Sequence, residues 1–304
     1  MLITQKIGLT RIFSGTWKHL LIDLLVCFVA FVVNEYFLIQ YLQLPAIVPT
    51  ILGTALAFFV GFNNSQAYDR WWEARKIWGA LVNDSRSLAR QVLHYTSEVS
   101  TLSAGNLESI RHKFIKRQIG FVYALKENLR GTTDRKYRAF MSSDDVATIE
   151  KESNKANAIL TLHSKDIAAL NQAGVIDGFK LLAINEIIVR LCDGMGQSER
   201  IKNTVFPTTY SYYSRFFIWI FIICVTIVTA DLVHFWSIFL GTLVGYVFLT
   251  IHTIGQALLN PFDTIPTGIP LDQISRTIEI NLLESIGEKD IPQPIRNVDK
   301  DVVM

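Results

Sequence analysis

The most constraining feature of this sequence is one segment, residues 51–79, which begins apolar and ends as a dense block of amides, charges and tryptophans. Its letters are ILGTALAFFVGFNNSQAYDRWWEARKIWG. No proline interrupts the chain between Pro49 and Pro207, so one helix can start in a membrane and continue into water. We predict that helix from Thr50 to about Val92. It would be about 60 Å long, about twice the 30 Å of a bilayer core.

One face of this helix changes its chemistry along its length. Residues three or four apart share a helix face, and this face passes from a hydroxyl to two phenyl rings, an amide and two carboxylates. We call it the polar-aromatic stripe, and its members are Thr54, Phe58, Phe62, Gln66, Asp69 and Glu73. The wall of an ion pore would explain such an order.

Two simpler interpretations of the stripe remain open. Phe58 and Phe62 can be ordinary lipid-facing or core residues. The acids lie beside Arg70, Arg75 and Lys76, so a salt-bridged interfacial helix face would also account for them.

Four apolar stretches predict an all-α membrane protein with four transmembrane helices. They lie at about 20–42, 46–62, 216–230 and 235–254. Hydrophobic residues make up 50% of the chain and charged residues 18%. A spanning helix needs about 20 residues, so the second and third stretches are near the short limit. The first lacks a small-x-small cleavage site, and we interpret it as an uncleaved span.

The remaining segments predict a helical cytosolic part over about 63–215 and a cytosolic tail over 255–304. Basic residues precede the first span and return in the central segment and the tail, but the turns 43–49 and 231–234 have none. The positive-inside rule therefore places both termini and the central segment in the cytoplasm.

The sequence offers no chemistry typical of an enzyme. It contains no HExxH, GxGxxG, GxSxG or Walker A pattern, and its six histidines are scattered. We therefore expect no catalytic residues, no cofactor and no metal centre. The net charge of +2 gives no basis for nucleic-acid binding.

Three blocks of sequence carry a resemblance to a known family. The first contains Gly61-Phe62, Asn63-Asn64, Tyr68, Arg70, Glu73-Ala74-Arg75 and Trp78-Gly79. The second contains Ser198-Glu199-Arg200, Thr204, Pro207 and Tyr210. The third contains Asn260-Pro261-Phe262, Pro270-Leu271, Ile278-Glu279 and Asn281-Leu282-Leu283. In this order they resemble the bestrophin family, bacterial branch, over nearly the whole chain.

The resemblance implies an ion channel with a pore on the symmetry axis of a homo-oligomer, usually a pentamer, in a bacterial inner membrane. It implies a single channel-type domain over 1–304. The family's pore neck falls on Thr54, Phe58 and Phe62, which belong to the stripe found by periodicity. A second, cytosolic aperture falls on Phe179. We place Gln66, Asp69 and Glu73 at the pore mouth.

The chain departs from the family pattern at two places. Thr54 stands where isoleucine is frequent, so the neck is less uniformly apolar. Animal relatives bind calcium through an acidic cluster after the fourth span, whereas this chain has Gln256–Asn260 there and only Asp263 close by. A hard cation needs several oxygen ligands, which argues against calcium gating.

An apolar neck can gate a channel by dewetting. Phenyl edges favour a passing anion and phenyl faces a cation, while the carboxylates of the stripe favour cations. We expect a channel for small monovalent ions, and we favour chloride or a similar small anion as the conducted ion. A sodium-type cation channel of the same fold, a secondary transporter and a non-conducting membrane scaffold are the alternatives.

Overall fold

The structure is a computed structural model that describes residues 9–38, 41, 44–97, 104–204 and 208–295. All regular elements within these ranges are helical, which confirms the predicted all-α class. The helices are α1 (Leu9–Val33, continued by a π-helical turn Asn34–Leu38), α2 (Ile47–Tyr95), α3 (Ala104–Arg130), a 3-10 turn (Lys136–Phe140), α4 (Ser143–Ile149), α5 (Lys155–Gln172), α6 (Gly178–Asn203), α7 (Thr208–Val233), α8 (Trp236–Leu258) and α9 (Leu271–Ser285).

Internal contacts divide the described chain into two compact units. The first, here called the membrane unit, comprises the described residues of Thr4–Trp71 and Val205–Asn260. The second, here called the polar unit, comprises the described residues of Trp72–Thr204 and those that follow from Pro261 to residue 295. Helix α2 contributes its first half to the membrane unit and its second half to the polar unit.

Helix α2 is the long helix that the sequence predicts. It runs over 49 residues, Ile47–Tyr95, three residues beyond the predicted bounds at each end, and is about 74 Å long at 1.5 Å per residue. Pro49 is its third residue, where a backbone N–H would have no intrahelical partner in any case. The proline is therefore compatible with the helix start.

Four of the described helices are long and apolar enough to cross a membrane. Their candidate spans are Trp17–Leu38, Ile47–Tyr95, Thr209–Val233 and Trp236–Leu258. The third has 25 residues, so the expectation of a short third span was wrong. Tyrosines and serines at 210–214, which an apolar count leaves out, continue the same helix.

The membrane unit is packed through small residues of α8. A Cβ added at Gly241 would lie about 3.0 Å from Cys27 Sγ of α1, and one added at Gly245 would lie 2.8 Å from Asp23 Cγ. The distance at Gly245 is shorter than real contacts of a Cβ and the distance at Gly241 is tighter than most of them, so these glycines allow α8 to approach α1 closely. The apolar core beside them contains Cys27, Leu56, Val60, Ile218, Phe221, Ile222, Ile238 and Leu249.

The close approach at Gly245 leads to a stability prediction. Gly245→Ala should lower the melting temperature of the detergent-purified protein, because overpacking a filled contact costs about 1–3 kcal/mol. Gly196→Ala is the matched control, since an added Cβ there meets nothing within 4 Å and alanine favours a helix. Equal melting temperatures for the Gly245→Ala variant and the unmodified protein would contradict this packing.

The polar unit is built around α3, whose second half is buried on nearly all sides. Arg117 lies in this core and is 1% exposed. Its guanidinium is 3.0 Å from the Asp145 carboxylate and 2.5 Å from the Asp166 carboxylate. A buried charge needs such partners, so this pair of carboxylates fixes α4 and α5 against α3.

Helix α9, which follows the fourth span, is held on α3 by polar contacts. Tyr123 donates a 2.5 Å hydrogen bond to Glu279, and Lys126 donates a 2.8 Å hydrogen bond to Asp272. Burial alone would raise the pKa of Asp272, but hydrogen bonds from Lys126 and Arg130 hold that pKa below its usual value. The segment after the fourth span is therefore an integral part of the polar unit.

His163 of α5 leads to a prediction on pH. It is fully buried on the Phe114 ring at 4.1 Å, and neither ring nitrogen has a hydrogen-bond partner among the described residues. Burial, helped by the nearby Arg117 charge, lowers the pKa of His163 well below its usual value. The unfolded chain therefore binds a proton that the folded chain does not, and stability should fall as the pH drops below about 6.5.

The change that tests this is His163→Phe. Between pH 7.5 and pH 5, the melting temperature of this variant should fall less than that of the unmodified protein. His112→Gln is the control, because His112 is partly exposed and paired with Glu108. It should keep the full pH dependence. A pH dependence of the same size in the His163→Phe variant would show that the proton binds elsewhere.

Candidate functional site

The membrane part of the polar-aromatic stripe lies on the uncovered face of α2. Phe58 is 67% exposed and Phe62 is 65% exposed within the described chain, and Thr54 is exposed as well. The opposite face carries buried residues: Leu56, Val60, Asn63 and Ala67. One copy of the chain therefore leaves both phenyl rings to face lipid, a pore or another copy.

The hydroxyl of Thr54 is already used as a donor. Its Oγ1 donates a 2.9 Å hydrogen bond to the Thr50 carbonyl one turn earlier. A hydroxyl in this arrangement presents its lone pairs, rather than its proton, to its surroundings. Thr54 thus adds polarity to the stripe without offering a hydrogen bond to an anion.

A groove of about 440 Å³ runs along the flank of the two phenylalanines. It is lined by Ala57, Gly61 and Ser65 together with Phe58 and Phe62. Nothing lies within 4 Å of a Cβ added at Gly61. Small residues at this spacing allow another helix to approach closely in a membrane.

Residues of the resemblance blocks fix α2 within the membrane unit. Asn64 donates a 3.0 Å hydrogen bond to the Ile251 carbonyl, and Arg70 donates one of 2.8 Å to the Leu259 carbonyl. A Cβ at Gly255 would collide with the Asn64 amide. These three residues hold α2 against α8 over the turns that follow Phe62 in the chain, a role that their sequence positions alone did not indicate.

Tyr210 of α7 fixes the same helix from a second side. Its ring stacks on Phe59 with 4.1 Å between ring centroids, and its hydroxyl donates to the Phe59 carbonyl at 3.3 Å. Phe59 is the neighbour of Phe58 in the chain, so this contact orients α2 with its stripe away from α7.

The two acids of the stripe have different surroundings. Glu73 Oε1 lies 2.6 Å from a guanidinium nitrogen of Arg200, in the last turn of α6. Asp69 is exposed and Gln66 is exposed. The salt-bridged interpretation therefore applies to Glu73, but its partner is Arg200, which is distant in sequence.

The face of α2 continues beyond Glu73 with basic residues. Lys76, Arg90 and His94 follow at helical spacing and are exposed. Arg90 donates only to the Ser87 hydroxyl, at 3.2 Å, among the contacts of the described residues. This part of the face within the polar unit has more positive than negative charge.

Phe179 is the second residue of α6 and is 88% exposed. It is therefore not a core residue of the described chain. The N-cap Asp177 accepts a 2.9 Å hydrogen bond from the Lys180 backbone N–H, which fixes the helix start beside it. Its place at a cytosolic aperture stays a prediction.

Within the described ranges, no group of three or more histidine, cysteine, aspartate or glutamate side chains is arranged to hold a metal ion. The candidate site described above consists of the uncovered face of α2 and the residues that fix this helix.

These features define a class of protein: a helical membrane protein with four candidate spans and an uncovered aromatic face on its longest helix. The comparison with known families gives the family. The model of the bacterial and fungal bestrophin proteins matches residues 6–284, and this chain belongs to that family.

Relatives and solved structures agree with this result. The voltage-dependent anion channel-forming protein YneE of Escherichia coli K12 is 30% identical over 247 residues, covering 81% of this chain and 78% of that protein. The protein of the same name from Salmonella typhimurium is 27% identical over 282 residues, covering 92% and 90%. A crystal structure of a bacterial bestrophin homologue from Klebsiella pneumoniae has a TM-score of 0.82 at 25% identity, covering 89% of this chain and 98% of that one.

Proposed function

We propose that this protein is a channel for small monovalent anions such as chloride, with a pore enclosed by the α2 helices of several copies. The observation that carries the proposal is the uncovered position of Phe58 and Phe62 on α2. Relatives named as anion channel-forming proteins support it. Thr54, Phe58 and Phe62 form the neck in this proposal, and the whole chain, 1–304, acts as one channel domain.

The neck opposes ions because it is narrow and largely apolar. Water leaves such a constriction easily, and an ion that enters must lose part of its hydration. Small changes in the spacing of the phenyl rings would then switch conduction on and off. Ring edges that point at the axis would present their positive rim to an anion.

The charge on α2 beyond the neck favours anions. Arg200 pairs with Glu73, and the exposed Lys76 and Arg90 lie on the same face. A surface with excess positive charge raises the local concentration of anions and lowers that of cations. A cation channel of the same fold is the second candidate, because the carboxylate of Asp69 is exposed.

The geometry of the stripe is compatible with a ring of five copies. Helices that pack at 8–10 Å would stand about 7–8.5 Å from a fivefold axis. Since a helix with its side chains has a radius of about 5–6 Å, such a ring leaves an opening of about 2 Å in radius. The small residues Ala57, Gly61 and Ser65 would allow this close packing.

We place the channel in a bacterial inner membrane with both termini in the cytoplasm. Lys and Arg are absent from the two short turns between spans and present in the other loops, which supports this orientation. We also propose that calcium does not gate the channel. The only acid near the end of the fourth span is Asp263, and one carboxylate is a poor site for calcium.

Chloride efflux from liposomes tests the proposed function. Purified protein in potassium chloride-loaded vesicles should release chloride rapidly once valinomycin allows potassium to leave. Vesicles with a scaffold protein would release no chloride, and a secondary transporter would release it slowly and with saturation.

Mass measurement of the same detergent-purified protein should give five copies of the chain in one complex. A stable monomer or dimer would contradict the ring.

A further inference from the structure

We propose that Arg200 is a determinant of charge selectivity, because it neutralises Glu73 on the pore-facing side of α2. The inference rests on the proposed anion channel and names a residue outside the neck. Its starting point is the contact of 2.6 Å between the Arg200 guanidinium and Glu73 Oε1.

The contact contributes little to folding. The Arg200 side chain is 63% exposed and the Glu73 side chain is 43% exposed. An ion pair this accessible to water adds only a small stabilisation. The pair still determines the charge that a passing ion meets, because a carboxylate without its guanidinium would leave one net negative charge at this position.

Arg200 is available for this role because its neighbours are bound elsewhere. The carboxylate of Glu199 accepts hydrogen bonds from Asn128 at 3.0 Å and Asn154 at 2.8 Å, and Lys202 donates to the Asn128 carbonyl. Glu199 therefore does not compete with Glu73 for the guanidinium. The structure shows a specific pair across α2 and α6.

The segment of this face between Asp69 and Lys76 would carry a net negative charge without this arginine. Asp69 and Glu73 are the acids of the segment and Lys76 is the base on the same helix face. With Arg200 the charges of this segment cancel in each copy, and the excess positive charge of the face then comes from Arg90, farther along α2. Without Arg200, each copy keeps one excess negative charge there, and a ring of copies multiplies this excess around the ion path.

The test uses variants in which a charged side chain is replaced by neutral glutamine. For each variant, the reversal potential of unitary currents is measured in a potassium chloride gradient. Arg200→Gln should lower the chloride-to-potassium permeability ratio at least about threefold, since one charge at about 7 Å in water changes an ion's energy by roughly RT. Glu73→Gln should raise the ratio. The double variant should return close to the unmodified protein, and all shifts should shrink at high salt.

The control for this set is Arg138→Gln. Arg138 pairs with Glu150 at 2.7 Å and is also partly exposed, but it lies in the 3-10 turn and not against α2. The Arg138→Gln variant loses the same charge as Arg200→Gln and should leave the chloride-to-potassium permeability ratio unchanged. Arg200→Lys, which keeps the charge, should do the same.

Each outcome decides the inference. If Arg200→Gln gives the same ratio as Arg138→Gln, or if both single variants shift the ratio in one direction, Arg200 does not set selectivity. If Arg200→Gln fails to assemble, an unchanged ratio in Glu73→Gln is sufficient to overturn it and a raised ratio supports it. Absence of current in the unmodified protein would instead remove the proposed function itself.

Discussion

Replacing Phe58 and Phe62 together by alanine is expected to increase unitary conductance or open probability several-fold. The change removes two phenyl rings per copy from the proposed neck. A wider and less apolar constriction stays wet, so the barrier from dewetting falls. Planar-bilayer recordings of the purified variant measure both quantities directly.

The control for the neck is Phe239→Ala. Phe239 lies on α8 of the membrane unit and is 59% exposed, so it matches the neck residues in type and accessibility. Currents of this variant should equal those of the unmodified protein. If the double alanine variant also leaves the currents unchanged, Phe58 and Phe62 face lipid or a neighbouring helix.

The second large effect is expected at Phe179. Phe179→Ala should increase the permeability of large anions relative to small ones, because five such rings would form an aperture that sieves by size and dehydration. The exposure of 88% means that the variant loses few packing contacts. Its melting temperature should therefore stay close to that of the unmodified protein.

Phe121→Ala is the matched control for stability. Phe121 of α3 is fully buried, and loss of such a ring costs about 3–5 kcal/mol. It should lower the melting temperature strongly without changing relative permeability. A destabilised Phe179→Ala variant with unaltered permeability would exclude the aperture.

Helix α2 illustrates what can be predicted from this sequence. The absence of proline between Pro49 and Pro207 and the periodicity of its residues depend only on the local chain, and both predict the helix within three residues. Such features need no knowledge of the rest of the fold.

Contacts between residues distant in the chain could not be predicted from such local patterns. The acids of α2 have basic neighbours in sequence, but the partner of Glu73 is Arg200, 127 residues away. Likewise, Asn64 and Gly255 form one contact between α2 and α8 that neither position reveals alone. Only tertiary packing decides which of several nearby charges or amides pair.

The third span shows a different cause of error. An apolar count places the start of this span at residue 216. The helix begins earlier, and Ser214 within it is fully buried and donates to the Tyr210 carbonyl at 2.8 Å. A hydroxyl that bonds one turn back can continue an apolar helix at little cost. Hydropathy alone therefore underestimates the length of this span.

The reversal potential of single-channel currents is the most direct test of anion conduction through this protein. Purified protein is placed in a planar bilayer between two concentrations of potassium chloride, and unitary currents are recorded over a range of voltages. We predict currents that reverse close to the chloride equilibrium potential. Reversal close to the potassium equilibrium potential would show a cation channel, and a complete absence of unitary currents would contradict conduction altogether.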